Sequence, residues 1–151
     1  MKKIRFVLAL LTFLVGSASS LARDAAPAAI QSLPAWTNQS GSTLYIDSVS
    51  PSGQISGQYI NRALGFACQN TPYPVTGWAY GTAITFTVNW VNATESCNSV
   101  TAWTGYYYQG AITTLWQLVS NGATDPSQII QGKDVFQPGS AQKKSPALRN
   151  K

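Results

Sequence analysis

The stretch W-T-N-Q-S-G-S-T at residues 36–43 sets Trp36 beside a run of short hydrogen-bonding side chains: Thr37, Asn38, Gln39, Ser40, Ser42 and Thr43. On a surface turn such residues need no explanation. At the mouth of a pocket they are several donors converging on one acceptor. Near the other end of the chain, G-K-D-V-F at 132–136 carries the complementary group. Strand alternation puts Asp134 on the face of Gly132 and Phe136, so a core-facing Phe136 takes Asp134 inward with it. A buried carboxylate must be hydrogen-bonded or paired. Its donors come either from the protein's own backbone and side chains or from N–H groups of a ligand.

The aromatic supply is large: five tryptophans and seven tyrosines. Trp90, Trp103 and Trp116 each lie in a strand-like run with hydroxyl neighbours, and alternation puts Ser99, Thr101 and Trp103 on one face. An aromatic box with hydroxyls inside suits a small, partly polar ligand. Catalysis has less to work with. There is no histidine, so no Ser-His-Asp or Cys-His site, and no third thiol or imidazole to build a metal centre with Cys68 and Cys97. The five acids, Asp24, Asp47, Glu95, Asp125 and Asp134, are scattered, and nothing in their spacing forces two into one cleft. No phosphate-binding loop is present. The expectation is a binding protein rather than an enzyme, without cofactor or metal.

These residues need elements to hold them. From Pro34 onward the chain breaks into short alternating runs separated by turn signals such as P-S-G at 51–53: 35–38, 43–49, 54–61, 74–80, 83–92, 99–109, 113–120 and 130–137. No window has a convincing helical period. Eight short strands in hairpin order predict an all-β fold, an eight-stranded antiparallel up-and-down barrel or a sandwich. The interior of a small barrel holds side chains or one small ligand.

The flanks differ in character. Lys2, Lys3 and Arg5 precede an apolar run at 6–15, and small residues follow up to S-L-A at 20–22. This is the pattern of a signal peptide cleaved after Ala22, with an apolar core too short to span a bilayer. Residues 23–33, rich in alanine, read as a flexible leader, 34–137 as the barrel, and 138–151 as a disordered tail. Without the signal, seven basic residues face five acids for a net charge of +2, and Lys143, Lys144, Arg149 and Lys151 lie in the tail. The high isoelectric point is then a solvated tail and not a nucleic-acid surface. Export predicts a secreted or periplasmic protein in which Cys68 and Cys97 form a disulfide, worth about 3–4 kcal/mol in the chain-entropy model.

Five stretches, W-T-N-Q-S-G-S-T, S-G-Q-Y-I-N-R-A, G-F-A-C-Q-N-T-P-Y-P, E-S-C-N-S-V-T-A-W-T-G-Y and G-K-D-V-F, resemble in order and spacing the avidin and streptavidin family of biotin-binding barrels, in its dimeric bacterial branch. The likeness runs from Trp36 to Phe136. It implies an avidin-like barrel that binds biotin with high affinity and without catalysis. It implies that Asn38, Ser42 and Tyr59 donate to the ureido oxygen. Asp134 and Asn61 would accept from the two ureido N–H groups. Thr101 would lie near the thioether sulfur, and Ser99, with the backbone of Leu64 and Gly65, near the carboxylate. Trp90, Trp103 and Trp116 would be the aromatic walls. Tetrameric members donate a tryptophan from a neighbouring subunit, which would fall within T-D-P-S-Q-I at 124–129; none is there. The resemblance therefore implies a homodimer, with the cysteine pair joining two mouth loops. Phe66, two residues before Cys68, is either a rim residue or a partial cover over the ligand. Biotin is the partner implied, with no nucleic acid and no membrane after signal removal. The aromatic and hydroxyl inventory by itself also permits a barrel for a sugar or another heterocycle. A ligand-free inhibitor or structural protein would pair Asp134 internally and leave no pocket.

Overall fold

A computed structural model describes residues 24–139. The expected signal peptide at 1–22 and the basic part of the expected tail lie outside the described residues. Eight strands, β1 (Ala35–Thr37), β2 (Thr43–Val49), β3 (Gln54–Ile60), β4 (Pro72–Tyr80), β5 (Ala83–Trp90), β6 (Ser99–Tyr108), β7 (Ala111–Ser120) and β8 (Ile130–Pro138), follow one another in space as in sequence. All neighbours are antiparallel, and β1 pairs with β8 to close the barrel. The sandwich alternative is thereby excluded. That last seam is short: its register contains only Trp36↔Pro138 and Thr37↔Gln137.

Period-two patterning explains the inside and outside of the wall. Tyr73, Val75 and Ala79 of β4 and Ile84, Phe86, Val88 and Trp90 of β5 point inward, while Thr76, Trp78 and Tyr80 face out. The lower barrel is filled by Trp36, Leu44, Ile55, Ile84, Phe86, Ile112 and Phe136, all essentially fully buried. Each such side chain contributes about 1.5–3 kcal/mol on burial. Phe86 stacks on Trp103 with centroids 4.9 Å apart and planes 12° apart, so the packed floor holds an indole of the upper wall in place. A Phe86→Ala change removes that support at a cost of about 3–5 kcal/mol.

The leader expected at 23–33 differs from a free segment. Residues Ala28–Ser32 form a short helix, α1, which packs against β2 with Ile30 fully buried. Five residues are far too few for a helix to stand alone. Burial of Ile30 and Ala26 against the barrel stabilises it, and that is invisible to helical periodicity. A 3-10 turn, Pro126–Gln128, in the β7–β8 loop was likewise unforeseen. Asp125 caps it by accepting the Ser127 N–H at 2.8 Å, and hydrogen bonding by Ser127 holds the Asp125 carboxyl below its ordinary value. Asp125 is thus an acid that caps a turn, and it does not line the cavity described below.

Candidate ligand site

Because strands and turns alternate, four loops gather at one end of the barrel: 38–42, 61–71, 91–98 and 121–129. Between them opens a cavity of about 420 Å³ that runs down to Tyr59, Trp103 and Asp134. Of the twelve residues expected to hold ligand, eleven line it: Asn38, Ser42, Tyr59, Asn61, Gly65, Trp90, Ser99, Thr101, Trp103, Trp116 and Asp134. Leu64 does not; it is 90% exposed in the 61–71 loop.

On one side, local hydrogen bonds aim a group of donors inward. The Asn38 side-chain oxygen Oδ1 accepts the N–H groups of Ser40 (3.1 Å) and Ser42 (2.9 Å), an Asx-type turn. This fixes the amide so that Nδ2 points to the Tyr59 hydroxyl, 3.4 Å away. Ser42 Oγ accepts the Arg62 N–H at 2.8 Å, and its own proton faces Asn61 Oδ1 at 3.4 Å. The Arg62 guanidinium grips the same loop through the Gly41 carbonyl (3.1 Å) and Thr43 Oγ1 (2.9 Å). Burial, then the negative charge of Asp134, push the Tyr59 hydroxyl well above its ordinary value, with a hydrogen bond to Ser42 opposing them. Tyr59 therefore keeps its proton and remains a donor. Asn61 is partly occupied: its Oδ1 takes the Ala63 N–H at 3.0 Å and its Nδ2 donates to the Ala67 carbonyl at 3.1 Å. It fastens the loop as well as facing the cavity.

Across the cavity is the acceptor. Asp134 is 6% exposed, and each carboxylate oxygen has one neutral donor. Trp103 Nε1 donates to Oδ2 at 2.8 Å and Gln39 Nε2 to Oδ1 at 2.9 Å. The internal partners that alternation left unnamed are these two. They leave lone pairs to spare, since an ionised carboxylate accepts about four hydrogen bonds. Gln39 was absent from the expected site, although it stands next to Asn38 in the same stretch.

The walls are aromatic and braced. Tyr59 lies 4.9 Å from Trp103, and Tyr73 lies 4.9 Å from Trp90. Trp90 Nε1 donates to Thr101 Oγ1 at 2.8 Å, which leaves the Thr101 proton for another acceptor. Trp116 lies against Gly132, its partner on β8; a Cβ there would come within 2.7 Å of the indole Cε2. Only glycine lets the ring lie over the strand. Nearer the mouth, Ser99 is paired in register with Ser120, which also lines the cavity, as does Leu118. These two were not foreseen either; their run at 113–120 was legible as a strand but its facing was not assigned.

At the rim, Cys68 and Cys97 are bonded, with Cα atoms 6.0 Å apart, so the 61–71 and 91–98 loops are crosslinked. Glu95 adds a second link by accepting the Cys68 N–H at 2.6 Å. Phe66 is 38% exposed, lines the cavity, and meets Trp116 edge to face at 6.2 Å. Gln69 Nε2 bonds the carbonyls of Ala63 (2.8 Å) and Phe66 (3.1 Å), bracing this loop from within. No group of three or more His, Cys, Asp or Glu suited to a metal ion occurs among the described residues.

A family model described as "Avidin family" matches residues 26–139. Afifavidin from Afifella pfennigii is 45% identical over 105 residues, which cover 67% of this chain and 65% of afifavidin, so the match spans about two thirds of that relative. The structure of apo shwanavidin is similar with a TM-score of 0.70 at 57% identity, covering 74% of this chain and 97% of that one. The rhizavidin–biotin complex is similar with a TM-score of 0.65 at 47% identity, covering 76% of this chain and 98% of that one. Matched over nearly the whole barrel by sequence and by fold, this chain belongs to the avidin family.

Proposed function

We propose that this protein binds biotin tightly and without catalysis inside the barrel. The observation that carries the reading is the opposition of two groups across one cavity. Asn38, Ser42 and Tyr59 lie on one side as donors, and the Asp134 carboxylate on the other as acceptor. A cyclic urea has the matching pattern, one oxygen between two N–H groups. Donors fixed before the ligand arrives favour the partly anionic character of that oxygen without reorganising, as an oxyanion hole does. The ureido N–H groups go to Asp134 and Asn61, the ring system between Trp90, Trp103 and Trp116, the sulfur near Thr101, and the carboxylate toward Ser99 and the backbone at Leu64 and Gly65. Asp134 is engaged by Trp103 and Gln39 and not by a nucleophile, which suits binding and not turnover.

The same reading extends to assembly and location. Val100, Tyr106, Leu115 and Val119 are exposed on the outer face of β6 and β7, a surface suited to a second barrel, and the protein acts as a homodimer. The N-terminal signal exports it to the periplasm or the medium, where it sequesters biotin. The domain scheme is a signal over 1–22, cleaved on export, followed by the barrel over 34–137. The decisive experiment is retention on immobilised biotin with release by free biotin. A folded protein that passes through the column, or that free biotin does not release, refutes the reading and leaves the sugar or other heterocycle as ligand.

A further inference from the structure

The β1–β8 seam has only two residue pairs, both at the closed end of the barrel, and above them one side chain continues it. Gln39 Nε2 donates to the Lys133 carbonyl at 3.0 Å, and Gln39 Oε1 accepts the Val135 N–H at 3.0 Å. A primary amide here bonds β8 as a strand backbone would, at both a carbonyl and an N–H. These two bonds also fix which end of the amide is nitrogen, because the flipped amide would set two donors face to face. The remaining N–H reaches Asp134 Oδ1 at 2.9 Å. All of the Gln39 amide's donors are therefore used, and one of them is used on the acid of the ligand site.

We propose that Gln39 is the positioning residue for Asp134: it locks the mouth end of the seam and, through the same amide, sets the rotamer of the carboxylate that receives a ligand N–H. The choice of ligand rests on the biotin reading; the positioning role does not. A carboxylate held at one oxygen by Trp103 alone still turns about its side-chain bonds. Held at both oxygens, it presents its free lone pairs in one direction. The donor must also be neutral and bifunctional. Gln supplies two N–H groups and an oxygen, whereas an apolar residue supplies neither, and a carboxylate lacks donors and repels Asp134 unless it is protonated. The charged and titratable groups near this point are Asp134 and Lys133 on β8, with the Lys133 side chain exposed, Tyr59 on β3, and Arg62, whose guanidinium is spent on Gly41 and Thr43.

The test uses Gln39→Leu and Gln39→Glu in the full barrel, each checked for a wild-type near-UV circular dichroism spectrum. The ligand-free readout is hydrogen exchange of the hydrogen-bonded indole N–H groups of Trp103 and Trp90 by NMR. We expect Gln39→Leu to speed exchange at Trp103, the partner of Asp134, by tenfold or more, with Trp90, the partner of Thr101, unchanged. Biotin affinity should fall at least tenfold. In Gln39→Glu a protonated side chain still donates to Asp134, whereas the ionised one repels it. Affinity relative to wild type should therefore lie within tenfold at about pH 5 and drop at least a further tenfold by about pH 9. A purely structural role in the seam gives a loss that is the same at both pH values and moves both indoles or neither; either result overturns the proposal. If wild type does not bind biotin but Trp103 alone responds to Gln39→Leu, the ligand reading fails and the positioning role stands. If Gln39→Leu does not fold, the indole measurement is made on Gln39→Glu at the two pH values, where equal Trp103 exchange overturns the proposal.

Discussion

The indole N–H of Trp103 and the carboxylate of Asp134 meet at 2.8 Å although their strands are not neighbours: β7 lies between β6 and β8, its Trp116 in register with Trp103 and its Thr114 in register with Asp134. One wall of the cavity thus orients the acid of another. Loss of the acid should be felt as more than one hydrogen bond, because charge-assisted bonds are roughly twice as strong as neutral ones. Asp134→Ala is expected to weaken biotin binding by more than about 2 kcal/mol, against about 1 kcal/mol for an ordinary hydrogen bond. Asp134→Asn, which keeps an acceptor oxygen, should lose less. Calorimetry or competition measures both; an unchanged affinity in the alanine variant removes Asp134 from the site.

Tyr59 carries a pH signature. Its hydroxyl is raised above its ordinary value by burial and then by Asp134. A group raised on folding contributes stability that is complete below its unfolded value, about 10 for tyrosine, and is lost as pH climbs toward the folded value. Denaturant titrations of wild type and Tyr59→Phe should therefore differ by a constant amount up to about pH 9, with wild type losing ground above about pH 10. A constant difference through the alkaline range would mean that Tyr59 ionises freely.

The Cys68–Cys97 bond closes a separation of 29 residues and joins two mouth loops. Reduction should lower the thermal midpoint of the unliganded protein, the chain-entropy model giving about 3–4 kcal/mol. Biotin release should also quicken, since the loops become mobile and part of the ordering cost falls on binding. Release should stay slower in the reduced wild type than in reduced Glu95→Ala, because the Glu95 bond to the Cys68 N–H survives reduction. Two free thiols in the native protein by mass spectrometry would end this argument.

Phe66 stands at the rim against Trp116 and lines the cavity, where it could act as a partial cover. A cover excludes water from the donors beneath and strengthens them. Its removal acts mainly on escape, as most interface changes act on the off-rate. Phe66→Ala should raise the biotin off-rate several-fold in stopped-flow displacement, with on-rate and unliganded stability nearly unchanged. An off-rate equal to wild type would show that another group closes the site.

Light scattering of the protein lacking its signal should give about twice the monomer mass, and a charge placed at Leu115 should reduce it, because a like charge facing its symmetry mate is unfavourable. A stable tetramer would contradict the inference from the tryptophan-free stretch at 124–129.

The sequence by itself determined the wall of the barrel. Strand order, near-correct strand ends and the inward facing of Asp134 with Phe136 follow from period-two alternation and turn residues, which are local properties. The family resemblance carried by five stretches implied eleven of the cavity-lining residues, nine of them within those stretches and Trp90 and Trp116 outside them. Tertiary structure alone decided who meets whom. Gln39 and Asp134 are 95 residues apart, and Trp103 and Asp134 are 31 apart. Nothing local distinguishes a glutamine that grips a strand across a seam from one that faces water. Likewise α1 exists because the barrel buries Ile30, and only the folded 61–71 loop, held by the disulfide, sets Phe66 against Trp116 while Leu64 stays exposed. Alternation assigns a side chain to a face; only closure of the barrel, which brings the first strand back to the last, assigns it a partner.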